Sequence, residues 1–366
     1  MAITRLTIQE FLQLSKQHPV LDVRSPGEFK HACIPGAYSL PLFTDEERKI
    51  VGTAYKQESQ QKAIKLGLDF FGSKMVKMVE EAETICKTFY PKDQPQAAVL
   101  VHCWRGGMRS AGVAWLLDLY GFKVYTLAGG YKVYRKWVLQ QFENEYPLQV
   151  VGGYTGSGKS ELLHELRKKG ACVIDLETIA AHKGSAFGNL GMPPQPTQEM
   201  FENLLAQQLS EHYGNDAADQ LIWIEDESQR IGEVNIPSVF FRQMRRKPLF
   251  FLNIPFEERL DFITGHYGNF ERDKLINAII RISKRLGGLE TKTAINHLLE
   301  NNIRACFGVL LHYYDKFYLK SLQNNREDFA KLFQKVEVET VSAEINSKKL
   351  AELAMQQRSM SSASPE

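Results

Sequence analysis

The stretch Gly153-Tyr154-Thr155-Gly156-Ser157-Gly158-Lys159-Ser160 constrains this chain more than any other. It has the form G-x-x-x-x-G-K-S. An apolar, strand-like run at 148–152 precedes it and helical periodicity over 160–169 follows, which is the setting of a phosphate-binding P-loop. Glycines let the backbone approach a phosphate, Lys159 can reach the outer phosphates, and the Ser160 hydroxyl can hold Mg2+. Gly153, Gly156, Ser157, Gly158, Lys159 and Ser160 are therefore the expected binding residues. Such a loop needs a sheet behind it, and 172–174, 221–224 and 249–254 read as further short buried strands. Beyond Pro255 the pattern is helical over 257–264, 273–286, 292–300 and 303–318, with 336–341 as a late edge strand. Residues 144–357 are expected to form a P-loop NTPase-like α/β domain with a helical C-terminal part, and the Ser-rich 358–366 a disordered tail.

A P-loop needs an acid to organise its metal. Asp226 follows the strand-like 221–224 and is the first choice, flanked by Glu225 and Glu227; Asp175 is the second. Ser160 and Asp226 are thus the expected Mg2+ ligands. Arg230 stands where it could contact phosphate, or be a plain surface arginine. The motif names no nucleotide. It binds a di- or triphosphate, and it could equally stabilise a departing diphosphate.

The N-terminal part carries a second loop, His102-Cys103-Trp104-Arg105-Gly106-Gly107-Met108-Arg109-Ser110, between the strand-like 99–101 and the apolar helical run 111–119. A thiol at that junction meets converging backbone N–H groups that favour its thiolate. Gly106 and Gly107 allow an anion nest, and Arg105 and Arg109 add positive charge. Cys103 is the expected nucleophile. The other cysteines, Cys33, Cys86, Cys172 and Cys306, read as small core residues, and an odd total of five is no disulfide framework. With strands at 20–23 and 123–127 and helices at 73–89 and 131–142, residues 1–143 are expected to form a separate parallel-sheet α/β domain. His-Cys-x5-Arg also fits cysteine phosphatases. A phosphatase, or a chalcogen transferase whose donor carries a phosphate, both remain open at this point.

The remaining bulk properties exclude little. At 366 residues the chain is long enough for two domains. A net charge of +2 does not demand nucleic acid, although Arg242-Gln243-Met244-Arg245-Arg246-Lys247 is a local basic cluster. No apolar run suits a membrane span and no signal-peptide core is present, so the chain is read as cytoplasmic with no membrane partner.

Leu21-Asp22-Val23-Arg24-Ser25-Pro26-Gly27-Glu28-Phe29, His31 and Ile34-Pro35-Gly36-Ala37 resemble the first rhodanese motif. Cys103 opens what resembles the rhodanese active loop, and Ala128-Gly129-Gly130-Tyr131 the closing segment of that fold. The resemblance implies a rhodanese-like domain that carries sulfur or selenium on Cys103. Blocks spread over about two-thirds of the chain resemble the tRNA 2-selenouridine synthase family. Besides the two loops, the blocks that carry this are Val51-Gly52-Thr53-Ala54-Tyr55-Lys56-Gln57, Ala181-His182-Lys183-Gly184-Ser185-Ala186-Phe187-Gly188 and Ile224-Glu225-Asp226-Glu227-Ser228-Gln229-Arg230-Ile231-Gly232. The family resemblance implies that geranyl diphosphate alkylates the wobble 2-thiouridine of tRNA and that selenophosphate then supplies selenium. The P-loop would serve the first step and Cys103, Arg105 and Arg109 the second. A selenophosphate-supplying enzyme is a partner that fits this scheme. The alternative is a cysteine phosphatase fused to a small-molecule kinase. Phe187, Phe240 and Phe241 are read as core residues before pocket walls, and His182 as scaffold before substrate contact.

Overall fold

The computed structural model describes residues 3–90, 97–213, 220–323 and 326–362. The chain divides into two compact units, Met1–Gln141 with Glu202–Gln207, and Phe142–Phe201 with Gln208–Glu366. Each is built on a parallel sheet.

In the first unit the strands are β1 (Thr4–Leu6), β2 (Val20–Asp22), β3 (Tyr38–Ser39), β4 (Ala98–His102) and β5 (Lys123–Leu127), in the order β1-β5-β4-β2-β3. Every pairing is parallel. Parallel neighbours cannot be joined by hairpins, so the chain crosses over through helices such as Met75–Phe89 and Met108–Tyr120. β4 is buried along its whole length, as a central strand must be. Leu21, Val99, Val101, Val113 and Leu117 form the middle of the core, with Met78 and Ala82 packed against them.

In the second unit β6 (Leu148–Gly153), β7 (Cys172–Ile174), β8 (Ile222–Glu225), β11 (Leu249–Asn253) and β12 (Phe333–Glu337) lie in the order β12-β11-β6-β8-β7, again all parallel. Between β8 and β11 comes a small antiparallel pair, β9 (Arg230–Ile231) with β10 (Val234–Asn235). The late edge strand starts at Phe333, earlier than its apolar residues suggest, because β12 pairs with all of β11 from Leu249↔Phe333 to Asn253↔Glu337. Leu162, Leu163 and Leu166 of the helix Lys159–Lys168 pack on this sheet with Phe250, Leu252 and Leu350. The helices Phe256–Tyr267, Arg272–Leu286, Gly288–Leu299 and Ile303–Gln323 enclose a second core around Phe187, Leu260, Ile279, Phe307 and Leu311. The last helix, Ala343–Ser362, runs five residues into the stretch expected as a tail; 363–366 lie outside the described residues. Among the described residues no helix is long and apolar enough to cross a membrane.

Candidate active sites

Cys103 follows β4 directly, and the helix Met108–Tyr120 begins five residues later. Its thiol is only 3% exposed. The Ser110 hydroxyl lies 3.2 Å from Sγ and 3.1 Å from the Gly107 carbonyl. Burial pushes the thiol up, but the Ser110 hydroxyl and the N–H groups of Ser110, Gly107 and Arg105 outweigh it, so the thiol lies below its ordinary value. Burial moves the other four cysteines the opposite way, with Cys33 and Cys86 raised to about 11 and Cys306 to about 12. Cys86 and Cys306 are buried core residues, while Cys33 and Cys172 are half-buried. Cys103 alone sits in an anion nest.

The rest of the first motif builds the floor and rim of this nest. Asp22 and Arg24 form a buried bidentate pair, with Nη2–Oδ2 at 2.6 Å and Nε–Oδ1 at 3.0 Å. The Arg24 guanidinium lies 3.8 Å over the Tyr131 ring. Tyr131 in turn donates its N–H to the Cys103 carbonyl at 2.8 Å, and Lys132 donates to Trp104 at 2.9 Å. Gly130, at φ +59°, makes this interlock fit: a Cβ there would stand 2.3 Å from the Cys103 carbonyl oxygen and 2.4 Å from the Gly106 nitrogen. His102 is fully buried and stacks on Tyr131; its ring nitrogens make no hydrogen bond, Nε2 lies 3.7 Å from Asp22 Oδ2, and burial lowers the imidazole against the opposing pull of Asp22.

The two arginines behave differently. Arg109 donates to Glu28 at 2.8 Å, whereas Arg105 is exposed and has no side-chain partner among the described residues. Glu28 did not stand out in the sequence. Its signal was the capping box Ser25-Pro26-Gly27-Glu28, which starts the helix Pro26–His31. Burial raises the Glu28 carboxyl, but Arg109 and then the Ser25 N–H bring it below its usual range.

The P-loop joins β6 to the helix Lys159–Lys168, at the carboxyl end of a strand paired on both sides, where parallel sheets bind ligands. Ser157 closes the loop by donating to the Tyr154 carbonyl at 2.6 Å, and Lys159 reaches back to the Gly153 carbonyl at 3.2 Å. Gly156, at φ +85°, packs so tightly that a Cβ would meet Ile263 at 2.8 Å. Ser160 donates to Glu177 Oε2 at 2.6 Å, and the Glu177 N–H donates to Glu225 at 2.8 Å. Glu177 is thus the carboxylate at Ser160. Sequence reasoning stopped two residues short, at Asp175, whose side chain instead caps the short helix Leu176–Ala180 and pairs with His164 at 2.7 Å.

Asp226 also lines the loop's cavity, but its carboxylate is taken by three donors. Arg245 lies at 2.8 Å, Arg326 at 2.5 Å and the Tyr318 hydroxyl at 3.0 Å. Arg230 stands apart: it is exposed, its Nε donates to the Gly232 carbonyl at 2.9 Å, and it does not line the cavity. Burial raises Glu177, then Ser160 and Lys159 pull it back in part. Glu225 is pushed well above the carboxylate range by burial and by Glu177; Glu227, at the cavity wall, rises to about 8 for the same reasons. Among the described residues no group of three or more His, Cys, Asp or Glu could hold a metal by itself.

The cavity has a volume of about 660 Å3 and a mixed lining. The P-loop, Lys183 and the acids supply its polar part. Phe187, Phe262, Tyr267, Phe307, Leu311 and Tyr314 supply apolar wall, and the two meet where Lys183 Nζ lies 5.6 Å over the Tyr267 ring. Phe187 packs against Tyr267 and Phe307 at ring distances of 5.8 and 5.6 Å. Phe240 is core beside Phe142 and Tyr146, and Phe241 lies under the Arg245 guanidinium. His182 wedges between Gly188 and Gly232, where a Cβ would meet its ring at 2.6 and 2.8 Å, so it locks two of the sequence blocks together.

These features match known proteins along most of the chain. A family model described as the tRNA 2-selenouridine synthase AAA domain matches residues 146–349, and a rhodanese-like domain model matches 7–136. A tRNA 2-selenouridine synthase from Nitrosomonas europaea is 33% identical over 358 residues, covering 84% of this chain and 90% of that protein. One from Bdellovibrio bacteriovorus is 32% identical, covering 88% and 94%. A third, from Hydrogenovibrio crunogenus, is 36% identical, covering 75% and 77%. With a rhodanese-like unit followed by a P-loop unit, and with this identity over most of its length, the chain belongs to the tRNA 2-selenouridine synthase family.

Proposed function

We propose that the protein replaces sulfur by selenium in the wobble 2-thiouridine of tRNA through an S-geranylated intermediate, using geranyl diphosphate and selenophosphate. The observation that carries this reading is the apolar wall that lines the P-loop cavity beside its phosphate loop. A prenyl chain would bury its length there, at about 0.8 kcal/mol per methylene.

In the first step the thiouridine sulfur attacks C1 of geranyl diphosphate. A C–S bond forms, the C–O bond breaks, and the electron pair leaves on the diphosphate. Lys159 and the P-loop N–H groups meet that charge. The base loses its N3 proton, and the His164–Asp175 pair on the same cavity wall is an acceptor for it. Ser160 and Glu177 present oxygen donors side by side and would suit a hard cation. Mg2+ held there would add charge stabilisation for the diphosphate. Asp226, held by two arginines, is the lesser candidate.

In the second step the Cys103 thiolate meets selenophosphate, whose phosphate suits the nest and the unpartnered Arg105. Selenium in that donor is already at the selenide level, so loading it on sulfur as a perselenide would need an oxidant. Attack on phosphorus needs none: an S–P bond forms, the P–Se pair leaves on selenium, and water later cleaves S–P. The selenide adds at C2 of the alkylated base and geranylthiol departs. Alkylation makes that sulfur a good leaving group. Against the phosphatase–kinase alternative stand the pairing of Arg109 with Glu28 and the apolar cavity wall.

The test is nucleoside mass spectrometry on 2-thiouridine-containing tRNA incubated with the protein, Mg2+ and geranyl diphosphate, before and after selenophosphate. A geranyl adduct that converts to 2-selenouridine is expected. Unchanged tRNA with both donors present would reject the reading.

A further inference from the structure

The basic cluster at 242–247 builds a second pocket, which shares only Arg245 with the lining of the P-loop cavity. This pocket has a volume of about 520 Å3 and is lined by Gln229, Ser238, Phe241, Glu327 and four arginines, Arg242, Arg245, Arg246 and Arg326. Arg245 and Arg326 form its inner part and are 8% and 7% exposed. Both guanidiniums share one carboxylate, Asp226. Their other partners are neutral: the Glu227 carbonyl for Arg245 and the Leu322 carbonyl for Arg326. Each leaves its Nε buried without a partner. Two buried cations thus share one anion, an arrangement that a further anion would complete.

The rim repeats the imbalance. Arg242 is exposed without a partner among the described residues, and Arg246 reaches only the exposed Glu327, at 3.7 Å. Exposed pairs of that kind contribute little and exchange readily. Gln229 and Ser238, bonded to each other at 2.9 Å, add neutral donors. Guanidinium forks match phosphate oxygens in pairs, and the pocket has room for a phosphate together with its sugar.

We infer that this arginine pocket is a second anion site, distinct from the P-loop, that takes a backbone phosphate of the RNA substrate. The inference rests on the tRNA reading above. A phosphodiester there would fix the RNA without reading its sequence, as phosphate contacts do. The exposed rim arginines would make first contact and the buried pair would seat the oxyanion.

The test uses the full chain and a labelled 2-thiouridine anticodon stem-loop, titrated over a range of salt concentrations. The double variant Arg242→Gln, Arg246→Gln spares the buried pair, and Lys274→Gln, Lys331→Gln removes equal charge elsewhere on the same unit. We expect the arginine variant to bind about tenfold more weakly, with the slope of log K against log salt shallower by about 0.7–0.9 for each phosphate lost. Pyrophosphate binding at the P-loop and the lysine control should match wild type. Unchanged RNA affinity and slope would overturn the inference. If they are unchanged but calorimetry shows the arginine variant losing one of two bound inorganic phosphates, the pocket serves a free phosphate and the RNA assignment falls. Wild-type protein that makes no 2-selenouridine would sink the proposed function instead. The salt slope of whatever RNA binding remained would still decide the pocket.

Discussion

Replacing Ser110 with alanine isolates the part of the nest that lowers the Cys103 thiol. The Ser110 hydroxyl has one proton and two acceptors, Sγ at 3.2 Å and the Gly107 carbonyl at 3.1 Å. With Cys103 protonated, that proton can serve Gly107. On ionisation it can turn to the sulfur. The gain is the difference between a hydrogen bond to a charge, about 1.5–3 kcal/mol, and a neutral one of about 1 kcal/mol. That leaves roughly 0.5–2 kcal/mol favouring the thiolate, with little screening because both groups are buried. Ser110→Ala should therefore raise the Cys103 titration. At a pH below both midpoints the thiolate population, and with it the iodoacetamide alkylation rate, should fall about two- to thirtyfold. Alkylation of Cys103, followed by peptide mass spectrometry across pH, reads this directly. The N–H groups of Ser110, Gly107 and Arg105 remain, so the thiol should stay below Cys86 and Cys306. An unchanged or lower midpoint in a variant that keeps the wild-type circular dichroism would refute the hydroxyl's role.

Three further outcomes are expected. Cys103→Ala should accumulate geranylated tRNA while selenation stops, and Lys159→Ala should block geranylation itself; the nucleoside assay separates the two, and normal geranylation by Lys159→Ala would remove the P-loop from the first step. Gly130→Ala should cost at least about 3 kcal/mol in urea unfolding, since it combines a left-handed backbone with Cβ contacts of 2.3 and 2.4 Å. Gly36→Ala, at φ +79° with nothing within 4 Å, should cost only about 1–2 kcal/mol, and equal losses would contradict the interlock. The raised Glu227 carboxyl makes stability pH-dependent. The folded protein keeps its proton up to about 8, while the unfolded chain releases it near 4.5, so this contribution is complete below 4.5 and is lost as pH rises through about 8. Glu227→Gln should flatten that decline, and an identical pH profile would show that the carboxyl titrates normally.

How much of this was legible in the sequence depends on whether a residue acts through its neighbours in the chain or through space. Both phosphate-type loops were visible because strand, glycines and helix start are contiguous, so the motif carries its own geometry. Asp22 and Arg24 lie within a recognisable motif, but their role under Tyr131 depends on β2 lying beside β4, which no local pattern states. Glu28 could be foreseen as a helix cap and not as the partner of Arg109, 81 positions away. The acid at the P-loop shows the same limit. Asp226 sits where strand-end reasoning puts a metal ligand, but β8 also carries it towards Arg245 and Arg326, and the latter lies 100 positions further on. Glu177 takes the place beside Ser160 because Asp175 is consumed in capping the next helix. The cavity's apolar wall was hardest to foresee. Phe187 belongs to a recognisable block, yet Tyr267, Phe307 and Tyr314 come from separate helices whose periodicity says only that they face inward. A residue that packs in a core and one that lines a cavity have the same sequence signature, since both turn away from water. Only the folded arrangement of the helices distinguishes them, and it brings these aromatic side chains into the same cavity as the phosphate loop.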